Sequence, residues 1–165
     1  MPLTIHQKSV YLIIFNATMI SRSVGKTLRA KNGVRRFKID VFKKLNRLTD
    51  LMNTGKLTED DILGSIKALC DEFRISFGQA QKPINVILKY HFYLTRRKDH
   101  KTKKVLHCPI DSVVLKELKK SGIPLTKIDE EKYQELQNEI EKQFSTKIEF
   151  DNKWDKQHLE KWGLT

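Results

Sequence analysis

Cysteine is scarce in this chain. Of 165 residues only Cys70 and Cys108 are cysteines, and they form no C-x-x-C pair. A disulfide scaffold is therefore not expected, and free thiols in a reducing compartment are. Long apolar runs are also missing. The densest one near the start, Val10 to Phe15, is soon broken by Asn16 and Thr18. A membrane span needs about 20 apolar residues, and a signal peptide needs a basic start and a small-residue cleavage site. Neither pattern is present, so the reading is a cytoplasmic protein with no membrane partner.

Chemistry-bearing motifs are just as thin. Gly25-Lys26-Thr27 has the ending of a phosphate-binding loop, but Ile20 stands where the first glycine belongs. His91, His107 and Cys108 are potential ligands without i, i+4 or C-x-x-C spacing, so no metal and no cofactor are expected. His91 lies on an apolar face and reads as a hydrogen-bonded core histidine. His107-Cys-Pro-Ile-Asp111 reads as a turn into a helix, with Asp111 capping it. A nucleophilic Cys108 would need a base beside it, and its sequence neighbour His107 normally points elsewhere.

Acids are rare in the first third. Residues 1–58 carry 12 Lys and Arg against Asp40 and Asp50, a balance of +10. Residues 59–128 carry 14 against 8, or +6, and residues 129–165 carry 6 against 10, or −4. The total of +12 is thus polarised along the chain, which evenly scattered solubilising lysines would not produce. A field of this kind attracts polyanions, above all nucleic acid. Apolar residues make up 39% and charged residues 32%, and the apolar ones recur in organised groups. That pattern fits a folded domain with a heavily charged surface, not a disordered tail.

Strand-type alternation is weak after residue 20, while helix punctuation is clear. A helix is expected over 8–21, although Val10–Phe15 alone could form a strand. Arg22 to Lys38 reads as a basic loop or a short broken helix. From Ile39, the spacing of Val41, Leu45, Leu48 and Met52 predicts a helix that ends at Gly55. Thr58-Glu-Asp-Asp61 opens another, with Ile62, Ile66, Leu69, Cys70 and Phe73 on one face. Pro83 predicts a break or a kink, followed by a central helix from Pro83 to about Thr95. Arg96 to Lys104 reads as a second basic loop. Asp111 and Asp129 each start a further helix, and a short last helix is expected after Asp151. No internal repeat and no dividing linker is present. The expected fold is mainly α: a single-domain bundle of about six helices over residues 1–165.

The central helix carries an unusual polar stripe. At 100° per residue, Ile84, Ile87, Leu88, His91 and Leu94 share one face. Lys82, Asn85, Lys89, Tyr93 and Arg96 fall in a band about 80° wide on the other side. Such a line of cations, an amide and a phenol suits a phosphate backbone, provided that it borders an open face. A stripe that only solvates the helix is the plainer alternative.

Gln79-Ala-Gln-Lys82, Asn85, Leu88-Lys-Tyr90 and His107-Cys-Pro-Ile-Asp111 resemble a pattern in a group of uncharacterised bacterial proteins of this size. Ile148-Glu-Phe-Asp151 followed by Trp154 resembles its tail. The resemblance covers residues 74–155 and implies no function.

Three functional readings follow. The first is binding of DNA or RNA through phosphates. Its candidate contacts in the first basic segment are Arg22, Lys26, Arg29, Lys31, Arg35, Arg36 and Lys38. On the central helix they are Lys82, Asn85, Lys89, Tyr93 and Arg96, and in the second segment Arg97, Lys98, Lys101, Lys103 and Lys104. The second reading is a metal-independent RNase built from Tyr90, His91, Arg97 and His100, which needs no clustered acids. The third is an interaction protein or homo-oligomer, in which the acidic 129–165 segment meets the basic half of a second copy or folds back over its own.

Overall fold

A computed structural model describes residues 3–19, 25–28, 33–95 and 99–163. Among the described residues the chain is all-helical. Its elements are α1 (Ile5–Met19), α2 (Val34–Asn53), α3 (Glu59–Phe73), α4 (Phe77–Leu94), α5 (His100–Val105) and α6 (Ser112–Glu117), then a 3-10 turn (Leu125–Lys127), α7 (Glu130–Glu141) and α8 (Lys147–Lys161). The mainly α expectation holds, with more and shorter helices than six. Val10–Phe15 lies inside α1 and is not a strand.

Local chemistry explains most boundaries. Thr58 and Asp61 form a reciprocal capping box, each side chain accepting the other's backbone amide. Asp111 and Asp129 cap α6 and α7 as their positions predict. Gly55 has φ of 69°, the left-handed value that the end of α2 requires and that glycine adopts without strain.

Three expectations need correction. The helix break at Pro83 does not occur: α4 starts at Phe77 and runs through the proline. A second capping box, between Ser76 and Gln79, fixes that earlier start. The second basic loop is partly helical, because the Asp99 carboxylate accepts from the amides of Lys101 and Thr102 and starts α5. The last helix begins at Lys147 instead of after Asp151. In the first basic segment, residues 25–28 are helical and α2 already begins at Val34.

α4 is the axis of the bundle. It packs against α1, α2, α3, α7 and the 3-10 turn. Ile84, Ile87 and Leu88 are fully buried on it, each contributing about 1.5–3 kcal/mol of apolar transfer. Leu94, expected on the same apolar face, lies past the packed part of the helix and is exposed. Arg36 pairs with Glu72 and Arg47 with Asp61, so α2 and α3 run antiparallel. Asn16 near the end of α1 accepts from Lys38 near the start of α2, while Ile5 and Lys8 line a groove that reaches Asn46, so α1 runs antiparallel to α2. No helix among the described residues is long and apolar enough to cross a membrane.

Candidate nucleic-acid interface

The polar stripe on α4 is present, but its middle, Asn85 and Lys89, faces inward, while Lys82 is half-buried and Tyr93 exposed. Asn85 is only 2% exposed and Lys89 only 3%. Asn85 Nδ2 donates to Gln81 Oε1 at 2.9 Å and to the Tyr133 hydroxyl at 2.7 Å. Lys89 Nζ donates to Asp151 and, at 2.8 Å, to Asp155, both on α8. Lys82 lies 3.4 Å from Asp111, and the Tyr93 hydroxyl accepts from Asn152. Lys89 therefore docks α8 through its two aspartates, and Asn85 supports the interior. Asn85 and Lys89 have no accessible atoms with which to reach a phosphate, because α7 and α8 already cover them.

Burial works against the charge on Lys89, but Asp151 and Asp155 outweigh it and hold its pKa above the ordinary lysine value. Burial also lifts the Asp151 carboxyl, while Lys89 draws it down. The geometry favours the charged pair, since Lys89 has two carboxylate partners and Asp151 keeps 15% of its side chain exposed.

A buried chain of hydrogen bonds continues from Asn85. The Tyr133 hydroxyl lies 2.7 Å from His107 Nδ1, and His107 Nε2 lies 2.6 Å from Glu59 Oε1. Burial depresses the His107 pKa against the pull of Glu59, so the ring is neutral near pH 7 and donates from Nε2. The hydrogen bond from His107 is the largest influence on Glu59; Lys147 adds to it and burial opposes both, leaving the carboxyl at about 2. His91 is fully buried, with Nδ1 at 2.6 Å from the Tyr11 hydroxyl and Nε2 at 3.1 Å from Asn53 Oδ1. It is the core histidine its position predicts, and it cannot meet a substrate. Of the other residues of the RNase set, Tyr90 is half-buried, His100 is exposed, and Arg97 lies outside the described residues.

Cys108 is buried and Cys70 partly buried. Burial raises Cys108 well above its ordinary value, and burial with Asp71 and Glu130 raises Cys70 to about 12. Among the described residues no His, Cys, Asp and Glu group could hold a metal ion.

The accessible cations lie elsewhere. On α2, Arg36, Lys43 and Arg47 keep 71%, 72% and 62% of their side chains exposed. Arg35 is exposed and makes no ion pair among the described residues, and Lys38 donates to Asn16 Oδ1 at 3.0 Å. Arg35, Arg36 and Lys43 line a depression of about 500 Å³ together with Ile39, Asp40 and Glu72. The pairs here, Arg36–Glu72 at 2.7 Å, Lys43–Asp40 at 3.0 Å and Arg47–Asp61 at 2.5 Å, are at the surface. Pairs of this kind, with the cation at the surface, are worth about 0–1 kcal/mol. Lys43 and Arg47 escaped the sequence reading because only the apolar positions of this helix were followed. Their i, i+4 spacing with Ile39 was the signal.

Lys26 is exposed just ahead of this face. Arg22, Arg29, Lys31, Arg96, Arg97 and Lys98 lie outside the described residues. In α5, Lys101 and Lys104 are exposed, whereas Lys103 is held by Glu149. The described cations of the two segments, Arg35 and Arg36 on α2 and Lys101 and Lys104 on α5, stand at different ends of the bundle. The C-terminal end of α2, at Asn53, touches His91 near the end of α4, and α5 follows from there. Arg35 and Arg36 sit at the opposite end of α2, about 28 Å away along a 20-residue helix.

Comparison with protein-family models, with curated proteins and with solved structures finds no match.

Proposed function

We propose that the protein binds the phosphate backbone of DNA or RNA through the outer face of α2 and the basic segment ahead of it. The single observation that supports this reading is the division of the cations. Lys89 and Lys147 keep only 4% of their side chains exposed and Lys103 only 22%, each held by carboxylates of the chain itself. Arg35, Arg36, Lys43 and Arg47 remain at the surface, in the part of the chain whose sequence balance is +10. The acidic segment thus folds back over α4 and α5 and leaves α2 uncovered.

The face presents arginine and lysine without a line of amide or aromatic groups that could read base edges. Binding is accordingly backbone-directed and tolerant of sequence. The test is a titration of single- and double-stranded DNA and RNA with the wild type and with Arg35→Glu/Arg36→Glu. The reversal removes most of the affinity, while Lys101→Glu/Lys104→Glu at the far end leaves more of it. Equal losses in the two variants, or none in either, overturn the assignment to α2.

A further inference from the structure

α1 has an apolar surface that remains exposed among the described residues. Tyr11 and Phe15 are buried against the bundle, yet Ile5 is 81% exposed, Ile13 69% and, across on α2, Ile39 47%. Beside the buried Tyr11 and Phe15, Val10, Leu12 and Ile13 are exposed, so the apolar residues of α1 are not confined to the face that the bundle covers. Between α1 and α2 runs an open groove of about 480 Å³ with Ile5, Leu12, Ile39 and Phe42 as its apolar wall. Lys8, Lys38 and Lys43 line the same groove, and no acidic side chain does.

We propose that this groove docks an amphipathic helix of a partner protein whose apolar ridge is flanked by acidic side chains. The inference goes beyond nucleic-acid binding and does not depend on it. Along α1 the groove extends from Ile5 to Leu12, two helical turns or about 10 Å. A trough between two antiparallel helices receives the ridge of a third, with anchors at i, i+3, i+4 and i+7. The lysines meet acids on the flanks of that ridge, and a basic helix is repelled.

Other occupants fit less well. Nucleic acid has no apolar ridge for Ile5, Leu12 and Phe42. An acyl chain in an open trough would keep one side in water, whereas small-ligand sites enclose most of the ligand. A second copy could offer the exposed apolar side chains at the end of α8, Leu159 and Trp162. There Asp151, Asp155 and Glu160 are balanced by Lys153, Lys156 and Lys161, so that end has no net charge to complement the groove.

The test selects a displayed library of helical peptides on the full chain and measures the enriched peptides by fluorescence anisotropy. The selected sequences have an apolar i, i+3, i+4, i+7 ridge flanked by Asp and Glu. Ile5→Asn and Ile39→Asn, both at exposed sites, weaken these peptides by about tenfold or more while thermal unfolding stays unchanged. Ile5→Asn, which lines the groove but not the Arg35–Lys43 depression, keeps nucleic-acid affinity, so failure of this proposal and failure of the α2 reading are separable. Enrichment of basic peptides, no enrichment, or binding indifferent to both variants overturns it. Preferential binding to phosphatidylglycerol vesicles, or self-association lost in the same variants, overturns it in favour of a lipid surface or a second copy.

Discussion

Lys89 Nζ lies 2.8 Å from the Asp155 carboxylate, so a residue of the central helix is held by one 66 positions later. With Asp151 it forms a cluster in which the lysine side chain is only 4% exposed. Removing one partner of a buried pair leaves the other charged and unsolvated, which costs about 3–5 kcal/mol. Lys89→Ala is therefore expected to destabilise the protein by about that amount and to loosen α8. Chemical denaturation with hydrogen exchange over 147–161 reads both effects. A change below about 0.5 kcal/mol, the figure for an ordinary surface site, would show that the stripe only solvates the helix.

The Glu59–His107 bond predicts acid sensitivity with a definite sign. His107 has a folded pKa below its ordinary value of 6.5, so the unfolded chain takes up the proton first. Stability is then lost as pH falls through that ordinary value. Glu59, depressed from 4.5 to about 2, contributes stability above 4.5 that is lost as pH falls toward 2. The two effects add, so the unfolding midpoint in urea drops steadily on acidification from neutral pH. A midpoint that stays flat between about pH 7 and pH 5 is incompatible with a buried neutral His107.

Gly78 predicts a packing failure. Its amide donates to Ile128 O at 2.9 Å, and a Cβ added there would stand 2.5 Å from Leu125 O and 2.7 Å from Ile128 Cβ. The nearest obstacle is backbone and cannot rotate away. Gly78→Ala is expected to cost about 1–3 kcal/mol by overpacking. Gly64, with nothing within 4 Å of an added Cβ, is the matched control. Gly64→Ala is expected to stabilise by about 0.5–1 kcal/mol, since it lies inside α3. Thermal melts of the two variants decide the matter: equal shifts would remove the close approach of α4 to the 3-10 turn from the account.

What was legible in the sequence was local. Thr58, Asp111 and Asp129 announce helix starts because a capping oxygen acts on amides two or three residues away. Asp99 does the same, but its helix buries only Thr102 and its signal is lost among the lysines around it. Pro83 suggests a break to any local reading, and the Ser76–Gln79 box that starts α4 lies seven residues ahead of it. The stripe of Lys82, Asn85, Lys89 and Tyr93 has the same helical spacing whether water, phosphate or another helix covers it. Its direction depends on Asp151, Asp155 and Tyr133, and no periodicity within α4 encodes those partners. The α2 face was half legible: the charge excess of residues 1–58 is in the sequence, but which cations stay uncovered is decided by where the acidic C-terminal segment folds back.

The most direct test of the account is the salt dependence of nucleic-acid affinity, measured from 50 to 200 mM for the wild type and for Arg35→Ala/Arg36→Ala/Lys43→Ala. Each phosphate contact contributes close to one unit to the log–log slope for duplex DNA, so the triple variant is expected to flatten it by about three units. The same measurement on Lys101→Ala/Lys104→Ala is expected to change the slope by less. A wild-type affinity that ignores salt, or a slope that the α2 variant leaves intact, would contradict the assignment of the polyanion face to α2.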